Sequence, residues 1–236
     1  ETHPTAGGAT RLDAALLAAR GEPSPAFLDL LAAAHAQEPL ENHEVIAPML
    51  ELVAAGGRSA AAAADVLAVS RLSDAEAAAL ARAFPESAPT VRARLCAAIA
   101  RLPSGREWLT ALIAADGEPP EVRAAAAWAA RDVRSARAAL ELAARGSEGP
   151  LARNARAALA ARSHADADAH ANAHAGWSAI RLLATDGAPS VGRWVTLAAP
   201  GIEVDARTDE VGVVRLDGLP PGAVWRAPGL SLRARP

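Results

Sequence analysis

The stretch PPEVRAAAAWAARDV, from Pro119 to Val133, reads as a turn, a Val-Arg pair and an Ala-packed helix. Variants of the same phrase recur as PTVRARLCAAIARL from Pro89 and PLARNARAALAAR from Pro150. A unit repeated at a fixed period of about 20 to 50 residues signals stacked supersecondary structure, because one such unit cannot bury its apolar face alone. Helix candidates begin near Pro25, Gly57, Pro89, Pro120 and Pro150, about 30 to 32 residues apart, which sets the period. TRLDAALLAAR precedes the first of these, and ENHEVIAPMLELVAAG, SDAEAAALARAF, GREWLTALIAAD and SARAALELAARG lie between them. About five helix pairs are therefore predicted, stacked as a right-handed solenoid.

Local signals agree with this division. Ser24 before Pro25 suits an N-cap followed by an N1 proline, Ser73 with Glu76 suits a capping box, and Gly21, Gly56 and Gly146 stand where helices close. Trp108, Leu109, Leu112 and Ile113 share one helical face. Pro48, inside its segment, is expected to kink that helix. Ala supplies more than a quarter of the residues and Tyr is absent, so the core must come from helices in close approach.

Composition changes after Arg162. SHADADAHANAHA (163–175) is low-complexity, and beyond it Ala falls while β-branched residues and Gly-Pro turns increase. SAIRLLA, RWVTLAA, IEVDAR, GVVRLD, AVWRA and LSLRAR then read as short strands. The expected organisation is multidomain, α followed by all-β: an α-solenoid over 9–162, a linker over 163–176 and a small antiparallel β-sandwich over 177–236. The linker offers little apolar area, so solenoid and β-domain are expected to behave as separable units.

The Pro, Val-Arg and Ala pattern from Pro89 to Arg162 resembles the short HEAT-like repeats of the phycobilisome-lyase type. The β-region, with DGAPSVGRWVTL, ARTDEVGVVRLDGLPPG and the strand after it, is similar to the carboxypeptidase regulatory-like, or transthyretin-like, β-sandwich modules. It departs from that pattern at EVG, where Asp-Gly is usual, and at Val224-Trp225, where Tyr is usual.

Catalytic chemistry finds little support. All 24 basic residues are Arg, which excludes Schiff-base lysines and the P-loop lysine. The single Cys96 lies among Leu95 and Ile99 and reads as a buried small hydrophobe. No nucleophile-elbow, zincin, dinucleotide-binding or Cys-x-x-Cys motif occurs. His164, Asp166, Asp168, His170 and His174 form a His/Asp cluster on the linker without a fixed scaffold, and His43-Glu44 is a lone pair, so neither a metal nor another cofactor is expected. No apolar run suits a membrane span, and a cytoplasmic bacterial protein is expected. The first residue is Glu rather than Met, which suggests a trimmed chain.

Charge is distributed unevenly: about −7 over residues 1–90, about +5 over 91–163 and about −1 beyond. Arg92, Arg123 and Arg153 recur at the repeat period and are expected to form a structural ladder of inter-repeat ion pairs. Arg94, Arg101, Arg131, Arg134 and Arg156 lie nearby and are the candidate partner-binding residues. The expected function is non-enzymatic: an adaptor, inhibitor or sequestering regulator that grips a protein with an acidic surface, the β-sandwich serving as a second docking module. The alternative is nucleic-acid binding through the basic face of repeats three to five.

Overall fold

A computed structural model describes residues 23–35, 39–167, 176–199 and 201–219. The TRLDAALLAAR helix, Gly21, His170, His174 and the AVWRA and LSLRAR strands lie outside the described residues. Nine α-helices among the described residues precede two small antiparallel sheets. The chain divides into two compact units, residues 1–105 and 106–236.

The first unit holds α1 (Pro25–Ala34), α2 (His43–Ala55), α3 (Ala60–Ala68), α4 (Asp74–Ala83) and α5 (Pro89–Ala100). Side-chain caps start three of them. Ser24 Oγ accepts the Phe27 N–H ahead of Pro25 at 3.3 Å, and Asn42 Oδ1 accepts the Glu44 N–H at 3.0 Å. At α4 the capping box is complete: Glu76 Oε2 accepts the Ser73 N–H at 2.7 Å while Ser73 Oγ accepts the Glu76 N–H at 3.4 Å. Pro48 lies inside α2, which continues past it to Ala55, and Gly56 closes that helix.

Helix α3 is buried at every position, Asp65 included. It packs against α1, α2 and α5, while α2 also packs against α4, so alternate helices are neighbours. Five consecutive alanines, Ala60 to Ala64, let the surrounding backbones approach α3 closely. Leu28, Leu31, Ile46, Met49, Leu67, Leu80, Leu95 and Ile99 fill the remaining space, and Cys96 is buried with them.

The second unit holds α6 (Gly105–Ala114, from its second residue), α7 (Pro120–Ala129), α8 (Arg137–Ala144) and α9 (Pro150–Ala167). Two 3₁₀ turns, Ala130–Asp132 and Arg134–Ala136, join α7 to α8. Leu109, Leu112 and Ile113 are buried on one face of α6. Gly146 follows α8 without adopting a positive φ. Helix α9 runs to Ala167, five residues into the segment read as a linker.

Four strands follow among the described residues: β1 (Gly176–Arg181), β2 (Trp194–Ala199), β3 (Ile202–Arg207) and β4 (Val213–Leu219). β1 pairs antiparallel with β4, and β2 with β3. Val195 and Leu197 of β2, Ile202 and Val204 of β3, and Val214 and Leu216 of β4 are buried. The TDEVG turn between β3 and β4 is held by its own side chains. Asp209 Oδ1 accepts the N–H groups of Val211 and Val213, and Thr208 Oγ1 accepts the Arg193 N–H while donating to Ser190 O. Gly212 has φ +76°, and a Cβ there would lie 2.8 Å from the Leu182 carbonyl oxygen, so the turn requires glycine.

Two measurements test this account. A Cβ at Gly105 would fall on the Ile99 carbonyl oxygen, so Gly105→Ala should destabilise by about 1 to 3 kcal/mol in urea unfolding. For Glu76, burial pushes the carboxyl up, but bonds from the Ser73 N–H and hydroxyl, together with His43, outweigh it and leave the pKa below the ordinary value. Its stabilising contribution is therefore full above the usual carboxylate range and is lost as pH falls through the depressed folded-state value. Thermal melts from pH 7 to pH 3 should show a smaller acid-induced loss in Glu76→Gln than in the unsubstituted chain.

Candidate functional site

The Pro-initiated helices place Arg92, Arg123 and Arg153 at equivalent positions, three residues after Pro89, Pro120 and Pro150. Their contacts differ. The Arg92 guanidinium stands 5.8 Å from the centre of the Phe84 ring. Arg123 donates from Nε and Nη2 to Ile113 O at 3.2 and 3.1 Å and pairs with Asp116, so it clamps the C-terminal turn of α6, where carbonyls lack helical partners. Arg153 reaches the strands, its Nε donating to Asp205 Oδ2 of β3 at 2.7 Å.

The five candidate partner-binding residues are equally varied. Arg94 lies in an ion pair with Asp65 of α3, with the two side chains only 9% and 5% exposed, so its charge is met inside the first unit. Arg101 is exposed at the end of α5. Arg131 lies over the Trp128 ring at 4.9 Å and donates to Trp128 O. Arg134 is exposed on its 3₁₀ turn. Arg156 is exposed, pairs with Glu148 and reaches Ala144 O at the end of α8.

Within the second unit the contacts converge on β3. Asn154 is 1% exposed, and its carboxamide makes three hydrogen bonds. Nδ2 donates to Ala124 O of α7 and to Asp205 O, both at 2.9 Å, while Oδ1 accepts the Asp205 N–H at 2.7 Å. One side chain thus ties α9 to α7 and takes both main-chain groups of an extended residue. A carboxamide suits this task because it donates and accepts side by side. The Asp205 carboxylate, itself buried, receives Arg153 on Oδ2 and Thr196 Oγ1 on Oδ1, the latter at 2.7 Å. Two residues along, Arg207 Nη1 donates to Glu121 Oε1 of α7 at 2.6 Å, and its Nε donates to Gly192 O. Glu121 is 6% exposed.

Strand alternation explains which side chains meet the helices. Ile202 and Val204 point into the β-region's apolar interior, leaving Asp205 and Arg207 on the opposite face of β3. That face would ordinarily be solvated; here it meets Arg153 and Glu121. Sequence reasoning named Arg153 but missed Glu121, Asn154, Asp205 and Arg207. A signal for one of them was present: Asn154 stands where the phrases from Pro89 and Pro120 have Ala93 and Ala124.

Among the described residues, no group of three or more His, Cys, Asp or Glu is placed to hold a metal ion, and no helix is long and apolar enough to cross a membrane. The His164 and Asp166 side chains, like Asp168, His170 and His174, lie outside what is described. His43 is engaged with Glu76, its Nδ1 lying 3.0 Å from Oε1. No protein-family model matches the chain, nor does any curated protein or solved structure.

The Asp65–Arg94 pair yields a quantitative expectation. Arg94→Ala leaves a buried carboxylate without its cation and should cost about 3 to 5 kcal/mol in denaturant unfolding. The double variant Asp65→Ala, Arg94→Ala should lose less than the sum of the two single losses, because no buried charge then remains.

Proposed function

We propose that this chain is a non-enzymatic polypeptide-binding module: a HEAT-like α-solenoid whose helical surface grips a partner protein, followed by a carboxypeptidase regulatory-like β-sandwich that serves as a second docking element. The proline starts of α5, α7 and α9 and the alternate-helix packing support the solenoid. Contacts spanning about one repeat, Arg94 with Asp65 and Asn154 with Ala124, add to that support. The antiparallel pairs β1–β4 and β2–β3 with their apolar interior support the β-sandwich.

The observation that carries the functional reading is the seating of β3 on α7 and α9. Those helices hold an extended segment through its main chain and through two charged side chains. A surface that recognises an extended backbone in its own chain has the chemistry to recognise one in another. Exposed Arg134 and Arg156 lie on the same unit, and exposed Arg101 on the other, and these basic positions suit an acidic partner surface. A nucleic-acid surface has weaker support, since Asp65, Asp116 and Asp205 already face Arg94, Arg123 and Arg153.

Affinity capture from the native cell, with the captured protein then purified and rebound, tests the proposal. Arg134→Glu should slow association at low salt, by up to about tenfold, with no change in melting temperature. Retardation of duplex or single-stranded DNA that weakens steeply between low and physiological salt would instead make phosphate the ligand. If neither protein nor nucleic acid binds, the proposal fails.

A further inference from the structure

We infer that β3 occupies, within its own chain, a recognition site built for an extended segment with an acidic residue and a basic residue two positions later. Binding of a partner segment of that pattern would therefore compete with β3. The inference deepens the polypeptide-binding reading and rests on it.

The site has three fixed points on two adjacent helices. Asn154 reads the main chain by taking the N–H and the C=O of one residue together, which only an extended segment presents side by side to a carboxamide. Arg153 meets the carboxylate of that same residue at 2.7 Å, and Glu121 meets a guanidinium two residues on at 2.6 Å. The spacing between the two charges is the strand repeat, since residues two apart share one face. Asn154 and Glu121 are both at least nine-tenths buried, and Ala124 O fixes the orientation of the Asn154 amide, so the recognising groups are held in place.

The chemistry of the seat also favours exchange over permanent docking. The apolar side chains of β3, Ile202 and Val204, belong to the β-region's own interior. The groups that β3 offers the helices in hydrogen bonds and ion pairs are Asp205, Arg207 and a main-chain N–H and C=O, all of which water can solvate. Unseating β3 from α7 and α9 thus exposes polar groups while the pairing of β3 with β2 and its apolar face stay intact. An apolar contact of the same extent would resist separation through the hydrophobic effect. A polar one can be replaced by another segment offering the same hydrogen bonds and charges. The site is then masked in the resting chain, and its apparent affinity for a ligand in trans is reduced by the fraction of molecules in which β3 is unseated.

A labelled peptide of residues 201–209, GIEVDARTD, is the probe. It should bind the full-length variant Asp205→Asn, Arg207→Gln at least about tenfold more tightly than the unsubstituted chain, because that variant weakens the internal competitor. Adding Asn154→Ala to the variant should abolish peptide binding, as should replacing the peptide's own acidic and basic residues by Ala. Equal binding to both proteins, or none to a variant with an unchanged circular dichroism spectrum, would overturn the inference. Should the variant not fold, hydrogen exchange on the unsubstituted chain decides. Excess peptide should accelerate exchange at the Asp205 amide and leave the amides of α3 unchanged; no acceleration overturns the inference. A captured partner whose binding is indifferent to excess peptide would refute this competition while leaving the polypeptide-binding function standing.

Discussion

The Asn154 carboxamide is the contact on which the second unit turns. It bonds to the Ala124 carbonyl in the preceding Pro-initiated helix and to both main-chain groups of Asp205, so helix–helix and helix–strand packing meet at one buried side chain. A buried amide with all its bonds made is neutral to modestly favourable, whereas one left with unmet partners is costly. Asp205 O and the Asp205 N–H depend on Asn154 in the same way, and such closed networks specify an arrangement more than they contribute net stability. The flanking ion pairs, Arg153 with Asp205 and Arg207 with Glu121, fix the direction and register of β3 across the helices. Each sets a buried carboxylate against a partly exposed guanidinium, and a buried carboxylate left without its cation is costly.

The first unit is held together by different means. Its centre is α3, an Ala-rich helix buried on every side, and close backbone approach takes the place of large side chains. The Asp65–Arg94 pair adds a buried charge contact between α3 and α5. Gly105 belongs to the same economy of space, since the chain there runs against the Ile99 carbonyl with no room for a methyl group. Small residues give density here, and polar residues give specificity in the second unit.

Arginine serves three purposes along the chain. It neutralises a buried carboxylate at Arg94 and Arg153, clamps the free carbonyls of a helix end at Arg123 and Arg156, and lies over an aromatic ring at Arg92 and Arg131. The planar fork and delocalised charge of guanidinium suit all three, which a point-charge ammonium could not match. The row of basic residues that looks uniform in sequence is therefore divided by its surroundings, and Arg101, Arg134 and Arg156 stand out as exposed.

Local chemistry alone determined much of this protein. Ser24, Asn42 and the Ser73–Glu76 box start helices because their side chains reach N–H groups two or three residues away. The prolines at 89, 120 and 150 restart helices because their fixed φ fits the first turn. Alternation located β2, β3 and β4, and the Thr208-Asp209 turn closes with its own side chains. The use of each arginine and the seat of β3 were not legible in the same way. Asp205 and Arg207 lie on the face of β3 that alternation assigns to solvent, and their partners Arg153 and Glu121 are 52 and 86 residues distant. No local pattern encodes a pairing over such separations. Only the packing of α7, α9 and β3 against one another brings those charges within hydrogen-bonding distance and turns a polar strand face into a buried contact.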